Sequence, residues 1–222
     1  VKHVESITEL RALRERLEGT VAFVPTLGFL HQGHLALMQR GLDDCDHLIV
    51  SVFVNPTQFG PDEDLDEYPR DTDGDAAKCR DTGCDIFFTP SADDIYPPGD
   101  NTRVTVDDLT DALCGASRPN HFQGVTDVVG RLFNIVDPDV AVFGRKDFQQ
   151  LAVIRRMTRD LHFDIDIVAV DTVREDDGLA TSSRNRYLDD DQRRQATCLS
   201  RGLVAARRLY VDDPSAHCAD IL

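Results

Sequence analysis

Apolar residues along this chain follow two spacings. Some form short unbroken runs, and others recur every third to fourth residue over longer stretches. The first spacing marks buried strands and the second amphipathic helices. "SITELRALRERLEG" (6–19) opens on Ser6 with Glu9 three residues on, the pairing of a capping box. It continues at helical spacing to a glycine stop. "TVAFV" (20–24) is a short apolar strand, and after a glycine-punctuated turn "HLALMQRGLDD" (34–44) continues as a helix. "HLIVSVFV" (47–54) is nearly continuous and rich in β-branched residues, as expected of a strand covered on both faces. "NPTQFGPDEDLDEYPR" (55–70) is a loop by its Asn, Pro and Gly content.

The alternation continues. "DTDGDAAKCRDTG" (71–83) reads as a helix, "CDIFFTP" (84–90) as a strand, and "RVTV" (103–106) as a further short strand at an edge or in a flap. "HFQGVTDVVGRLFNIVD" (121–137) carries an apolar stripe of Phe122, Val125, Val128, Val129, Leu132, Phe133 and Val136. "DVAVF" (139–143) is a strand, "DFQQLAVIRRMTRDL" (147–161) a helix and "DIDIVAV" (164–170) a strand. Repeated strand–helix units with short connections predict an α/β fold with a doubly wound, Rossmann-like parallel sheet over residues 1–175. The character then changes. "REDDGLATSSRNRYL" (174–188) is polar and loop-like, "DDDQRRQATCLSRGLVAARRLY" (189–210) reads as one capped helix, and "VDDPSAHCADIL" (211–222) as the start of another. A small second domain is expected over 176–222.

Composition narrows the function classes. A net charge of −16 disfavours non-specific nucleic-acid binding and makes any cationic cluster informative. The chain has 3 lysines against 21 arginines. No apolar run approaches the ~18 residues of a membrane span, and the N-terminal stretch lacks the apolar centre of a signal peptide. A cytoplasmic protein is the expectation. The six cysteines form no C-x-x-C pair, so they read as free thiols.

Five stretches have the residue types for chemistry. In "PTLGFLHQGHLAL" (25–37), His31 and His34 stand where a strand gives way to a helix. The N–H groups and dipole of a helix start favour anions, and imidazoles there can donate to phosphate oxygens. Metal ligation and a structural role remain open beside that anion cradle. Asn55 and Gln58 follow the next strand, where ligands of open α/β sheets bind; an Asn-Pro turn is the plain alternative. "FGRKDFQQL" (143–151) adds Lys146. Its Asp147 and Gln150 have the D-x-x-Q spacing of a helix cap. "TSSRN" (181–185) groups two serines with Arg184, a set suited to phosphate, or to a mobile hinge. Arg118 and His121 precede a helix, with His121 as suited to structure as to a ligand. No Walker or G-x-G-x-x-G pattern is present.

Together, "PTLGFLHQGHLALM", "FVNPTQFGPDEDLDEYPRD", "RPNHFQGV", "LFNIVDPDVAVFGRKDFQQLAVIRRMTRDL" and "VREDDGLATSSRNRYL" closely resemble the pantothenate synthetase family, in order and at compatible spacing over about residues 5–210. H-x-G-H alone also fits other nucleotidyltransferases and class I aminoacyl-tRNA synthetases. The F-G-x-K-D-x-Q-Q-L and N-P-x-Q-F-G segments are the specific ones. The resemblance implies an enzyme that joins pantoate to β-alanine using ATP and Mg²⁺, through pantoyl adenylate, with release of pyrophosphate and AMP. It implies a homodimer and no protein-held metal.

Carried over by position, His31 and His34 face the ATP phosphates, with His34 stabilising the adenylation transition state. Lys146, Ser182, Ser183 and Arg184 hold phosphates. Gly144 and Asp147 meet the ribose, and the Val173 backbone meets the adenine. Gln58 and Gln150 hold pantoate, Pro25, Thr26 and Leu27 line its pocket, and Asn55 lies near the reacting end. The chain departs from the family pattern at Leu27, Thr181 and Cys114, and in a shorter C-terminal part, so the expected lid is small and truncated. Two rivals stand beside this reading. One is an H-x-G-H enzyme acting on another acid, and the other is a nucleotide-binding protein without turnover.

Overall fold

The computed structural model describes residues 1–215. The chain divides into two compact units, Val1–Asp171 and Thr172–Leu222. In the first, six strands form one all-parallel sheet: β1 (Lys2–Val4), β2 (Val21–Thr26), β3 (His47–Val52), β4 (Ile86–Phe88), β5 (Val140–Gly144) and β6 (Asp166–Val170), in the order β1-β4-β3-β2-β5-β6. Winding runs outward from β2 through β3 and β4, then restarts on the other side with β5 and β6. The switch point therefore lies between β2 and β5.

Alternation along the strands sends successive side chains into two cores. Val21, Phe23 and Ile49 face a layer containing α1 (Ile7–Arg14), α6 (His121–Val136) and α7 (Phe148–Asp160). Ala22, Val24, Leu48, Val50 and Val142 face α2 (Gln32–Asp44) and α3 (Thr72–Thr82). The expected stripe of α6 is buried throughout, from Phe122 to Val136. Two short helices, α4 (Ala92–Ile95) and α5 (Cys114–Ser117), complete this unit.

Several elements differ from the sequence reading. β1 has no counterpart there. It is a three-residue strand at the sheet edge, its first two residues exposed, too short for a periodic signal. Residues 103–106 form no strand. The Val104 N–H donates to Asp127 Oδ1 at 2.5 Å, and its carbonyl accepts from Thr126 Oγ1 at 2.5 Å. Side chains of α6 thus take the groups a ladder would need. Ser6 caps α1 by accepting from the Glu9 N–H at 3.2 Å. The helix ends at Arg14 rather than running to Gly19.

The second unit holds α8 (Asp190–Ala196) and α9 (Cys198–Asp212) where one helix was expected. The division falls at Thr197, whose hydroxyl donates back to the Arg194 carbonyl at 2.8 Å. Of the further helix expected over 211–222, residues 216–222 lie outside the described residues, and Val211 and Asp212 close α9.

Candidate active site

The loops after β2, β3 and β5 leave one edge of the sheet side by side, because these strands are adjacent and parallel. Each carries one of the motifs read from the sequence.

At the β2–α2 turn, Thr26 Oγ1 donates to the Ser51 carbonyl at 2.8 Å and accepts from the Gly28 N–H at 3.1 Å. Pro25, Thr26 and Leu27 are half-buried at the mouth. Gly28 adopts a left-handed φ of +87°, and a Cβ there would lie 2.7 Å from Val52 Cγ1. Only glycine satisfies both conditions. Asp75 of α3, 1% exposed, accepts the next two backbone N–H groups, from Phe29 and Leu30, at 2.7 Å each. Lys78 approaches the same carboxylate at 3.7 Å. Burial raises the Asp75 pKa, and the Leu30 and Phe29 N–H groups oppose that shift.

The two histidines then cap α2 reciprocally. His31 Nδ1 accepts from the Gly33 N–H at 3.1 Å, and His34 Nδ1 accepts from the His31 N–H at 3.3 Å. The rings stack with centroids 4.0 Å apart. A backbone N–H can only donate, so both Nδ1 atoms are acceptors, and each neutral ring carries its proton on Nε2. That tautomer offers two N–H donors and no second lone pair, which suits an anion and opposes metal ligation. His34 retains some accessible surface, yet its surroundings push its pKa down to about 3. Desolvation is the largest cause; a proton on His34 would also repel one on His31, and the charges of Lys146 and Lys78 oppose it further. The structural and cradle readings are therefore compatible, one using Nδ1 and the other Nε2.

After β3, Asn55 caps the 3-10 turn Pro56–Gln58, whose last residue is Gln58. Asn55 is fully buried and Gln58 is 8% exposed. Helix α6 packs against this turn at Gly124, where a Cβ would come within 2.4 Å of the Thr57 carbonyl oxygen. His121 serves as a brace. Its Nε2 lies 3.1 Å from Arg118 Nη1, a pure donor, so Nδ1 carries the proton and donates to the Gln58 carbonyl at 2.8 Å. Burial and Arg118 lower its pKa. Arg118 also binds Glu63, holding that carboxyl below the usual range.

After β5, Gly144 is the last strand residue, and Arg145–Asp147 form a 3-10 turn before α7. The expected Asp147 side-chain cap is absent. Its carboxylate instead lies 3.3 Å from Lys146 Nζ, because the preceding 3-10 turn enters the helix directly. Gln149 ties α7 to the 109–114 segment through the Leu109 and Ala112 carbonyls and the Cys114 N–H. The neighbouring Gln150 amide, half-buried, has no partner among the described residues.

In the second unit, Ser182 Oγ accepts from the Arg184 N–H at 3.3 Å and opens the 3-10 turn Ser183–Tyr187, with Ser183 buried. Asn185 anchors this loop to Glu175 and the Ala180 carbonyl. Thr181 donates both its N–H and its hydroxyl to the Val173 carbonyl, at 3.0 and 3.1 Å, which gives its polar side chain a partner.

Asp75 and Lys78 were not singled out in the sequence. Lys78 had the same signal as Lys146, rarity among 21 arginines; Asp75 was hidden among 33 aspartates.

Fold and motif define a class: a doubly wound α/β protein with an H-x-G-H helix start at its switch point. Comparison with known proteins is more specific. Residues 2–221 match the pantoate–β-alanine ligase family. Pantothenate synthetase of Geobacter sulfurreducens is 53% identical over 212 residues, covering 94% of this chain and 75% of that protein. The crystal structure of pantothenate synthetase from Thermus thermophilus superposes with a TM-score of 0.91 at 50% identity, covering 96% of this chain and 76% of that one. A Francisella tularensis pantoate–β-alanine ligase, crystallised with β,γ-ATP and β-alanine, gives 0.86 at 34% identity, covering 90% and 78%. The chain belongs to the pantoate–β-alanine ligase family and is an enzyme of the ligase class.

Proposed function

We propose that this enzyme condenses pantoate with β-alanine at the expense of ATP, through a pantoyl-adenylate intermediate. In the first step a pantoate carboxylate oxygen attacks the α-phosphorus, and the bond to pyrophosphate breaks. In the second the β-alanine nitrogen attacks the acyl carbon, AMP leaves with the bridging oxygen, and the amine proton passes to solvent or phosphate. The product is pantothenate.

The observation that carries this reading is the histidine pair. Two imidazoles engage backbone N–H groups through Nδ1 and carry protons on Nε2. His34 is held neutral, and Lys146 and Lys78 bear on it electrostatically. Adenylation brings two anions together, and such donors stabilise the charge that develops on leaving pyrophosphate. A neutral His34 donates without charge repulsion from the lysines.

For pantoate the assigned groups are Gln58 and Gln150, with Pro25, Thr26 and Leu27 as lining. Amides orient its hydroxyls and carboxylate without a fixed countercharge that would blunt the nucleophile. Gly144, Asp147 and the Val173 backbone are assigned to the nucleoside, and Ser182, Ser183 and Arg184 of the second unit to phosphate. Mg²⁺ bound with ATP would supply charge neutralisation for the phosphates.

We assign the second unit as a lid, the assembly as a homodimer and the location as the cytoplasm, where ATP is made and used. Large exposed apolar side chains are present, Leu113 and Phe148 on the first unit and Leu199 and Leu203 on α9 among them. No described helix is long and apolar enough to cross a membrane.

The test is pyrophosphate release with pantoate and ATP, followed by AMP release on adding β-alanine. Other carboxylates serve as controls. His34→Ala is expected to lower kcat/KM for adenylation by ~10²-fold or more with folding retained. No turnover of pantoate by the unmodified protein rejects the reaction, and full activity of His34→Ala rejects the cradle.

A further inference from the structure

Amide groups look alike at their two ends, yet the partners around Asn55 distinguish them. The Thr57 backbone N–H can only donate, so the Asn55 atom 3.3 Å away is its oxygen, Oδ1. The Gly124 carbonyl can only accept, so the Asn55 atom 3.0 Å away is its nitrogen, Nδ2. Two backbone groups on separate elements therefore fix this fully buried amide. The second Nδ2 hydrogen points at Gln58, 3.2 Å away, and the atom receiving it must be Oε1. Orientation thus passes from the backbone through Asn55 to Gln58. Gln58 Nε2 is left without a protein acceptor among the described residues, and it is not one of the buried atoms lacking a partner.

Tyr96 supports the same arrangement from outside. Its hydroxyl donates to Asn55 Oδ1 at 2.9 Å and lies 3.1 Å from Thr57 Oγ1, which also reaches Oδ1 at 3.0 Å. The Tyr96 ring is held in turn. The Arg131 guanidinium sits 4.9 Å from its centroid and is fixed by two 2.9 Å bonds to the Asp100 carboxylate. Reversing the Gln58 amide would set N–H against N–H at Asn55. Reversing Asn55 as well would oppose the Thr57 N–H and the Gly124 carbonyl.

We infer that Asn55 and Tyr96 are positioning residues that lock Gln58 with its NH₂ outward, so that Gln58 recognises an acceptor oxygen of the acid substrate. Asn55 itself offers nothing to a ligand, since both its hydrogens and its oxygen are engaged within the protein. The inference rests on pantoate being that acid, and it modifies the assignment by moving Asn55 from contact with the reacting groups to a place behind Gln58.

A double-mutant cycle tests it. Asn55→Ala and Gln58→Ala are each expected to raise the KM for pantoate by about 10-fold, with the KM for ATP little changed. The double variant should be no worse than Gln58→Ala alone, within about 2-fold, because Asn55 acts only through Gln58. Tyr96→Phe removes one hydroxyl from a half-buried site and should raise the pantoate KM by about 3-fold, an effect that vanishes in the Gln58→Ala background. It carries the same test if Asn55→Ala does not fold. Additive losses overturn the inference, as does a fall in Tm with an unchanged pantoate KM. If the unmodified protein does not use pantoate at all, the reaction falls first and the inference with it.

Discussion

His34 behaves as a neutral donor because desolvation above all, and then the charges of Lys146 and Lys78, oppose its protonation. Its folded pKa of about 3 lies below the ordinary 6.5, so the unfolded chain takes up the proton first as pH falls. The stability linked to His34 is therefore complete above its unfolded pKa and is lost as pH drops from there toward about 3. His34 ring signals in NMR should stay flat between about pH 5 and 8. The difference in unfolding free energy between the unmodified protein and His34→Gln should shift toward the variant as the solution is acidified. A ring titrating near neutrality would refute this. Gln150 is the second residue-scale case. Since Asp147 makes no side-chain cap, Gln150→Ala should change stability by less than about 0.5 kcal/mol while raising the pantoate KM. A large fall in Tm would mean that it holds the helix start after all. Both residues were legible in the sequence, but the division of labour between Nδ1 and Nε2 was not. That division depends on which backbone N–H each ring meets, a matter of dihedral angles and not of residue type.

Among elements, strands and long helices were read with little error, because β2, β3 and β5 are buried on both faces and α6 buries one wide stripe. β1 was missed for its shortness, and two further failures fell where side chains compete with backbone. Thr126 and Asp127 occupy the Val104 backbone groups, and the Thr197 hydroxyl marks the division between α8 and α9. Neither pairing leaves a periodic trace. The contact of α6 with the Pro56–Gln58 turn is likewise invisible in sequence, although the glycine that permits it stands in plain view. Gly124→Ala would force a methyl group into the Thr57 carbonyl. It should cost about 1–3 kcal/mol, the usual penalty of overpacking, and weaken pantoate binding more than ATP binding. Thermal unfolding and the two KM values measure this, and equal losses for both substrates would show that the turn does not serve the acid alone.

Over the whole molecule, a net charge of −16 surrounds a site proposed to bind two anionic substrates. Self-repulsion of that size destabilises the compact state, and salt screens it over about 10 Å at 0.1 M. Tm should therefore rise as potassium chloride is added up to several tenths molar; a steady fall would show that screened ion pairs, such as Arg118–Glu63 and Arg131–Asp100, outweigh the repulsion. Acidity was evident from composition alone, whereas the gathering of motifs at one sheet edge required the strand order.

The scarcity of lysine has a practical side. Apart from Lys2 near the chain start, the only lysine side chains are Lys78 and Lys146, and both bear on His34. Within this sequence, amine-directed acylation of side chains, which on an ordinary protein scatters over the surface, is confined to Lys2, Lys78 and Lys146. A nucleotide bearing a reactive acyl phosphate would thus mark occupancy on two known peptides, and protection by unlabelled ATP would give a footprint with almost no background.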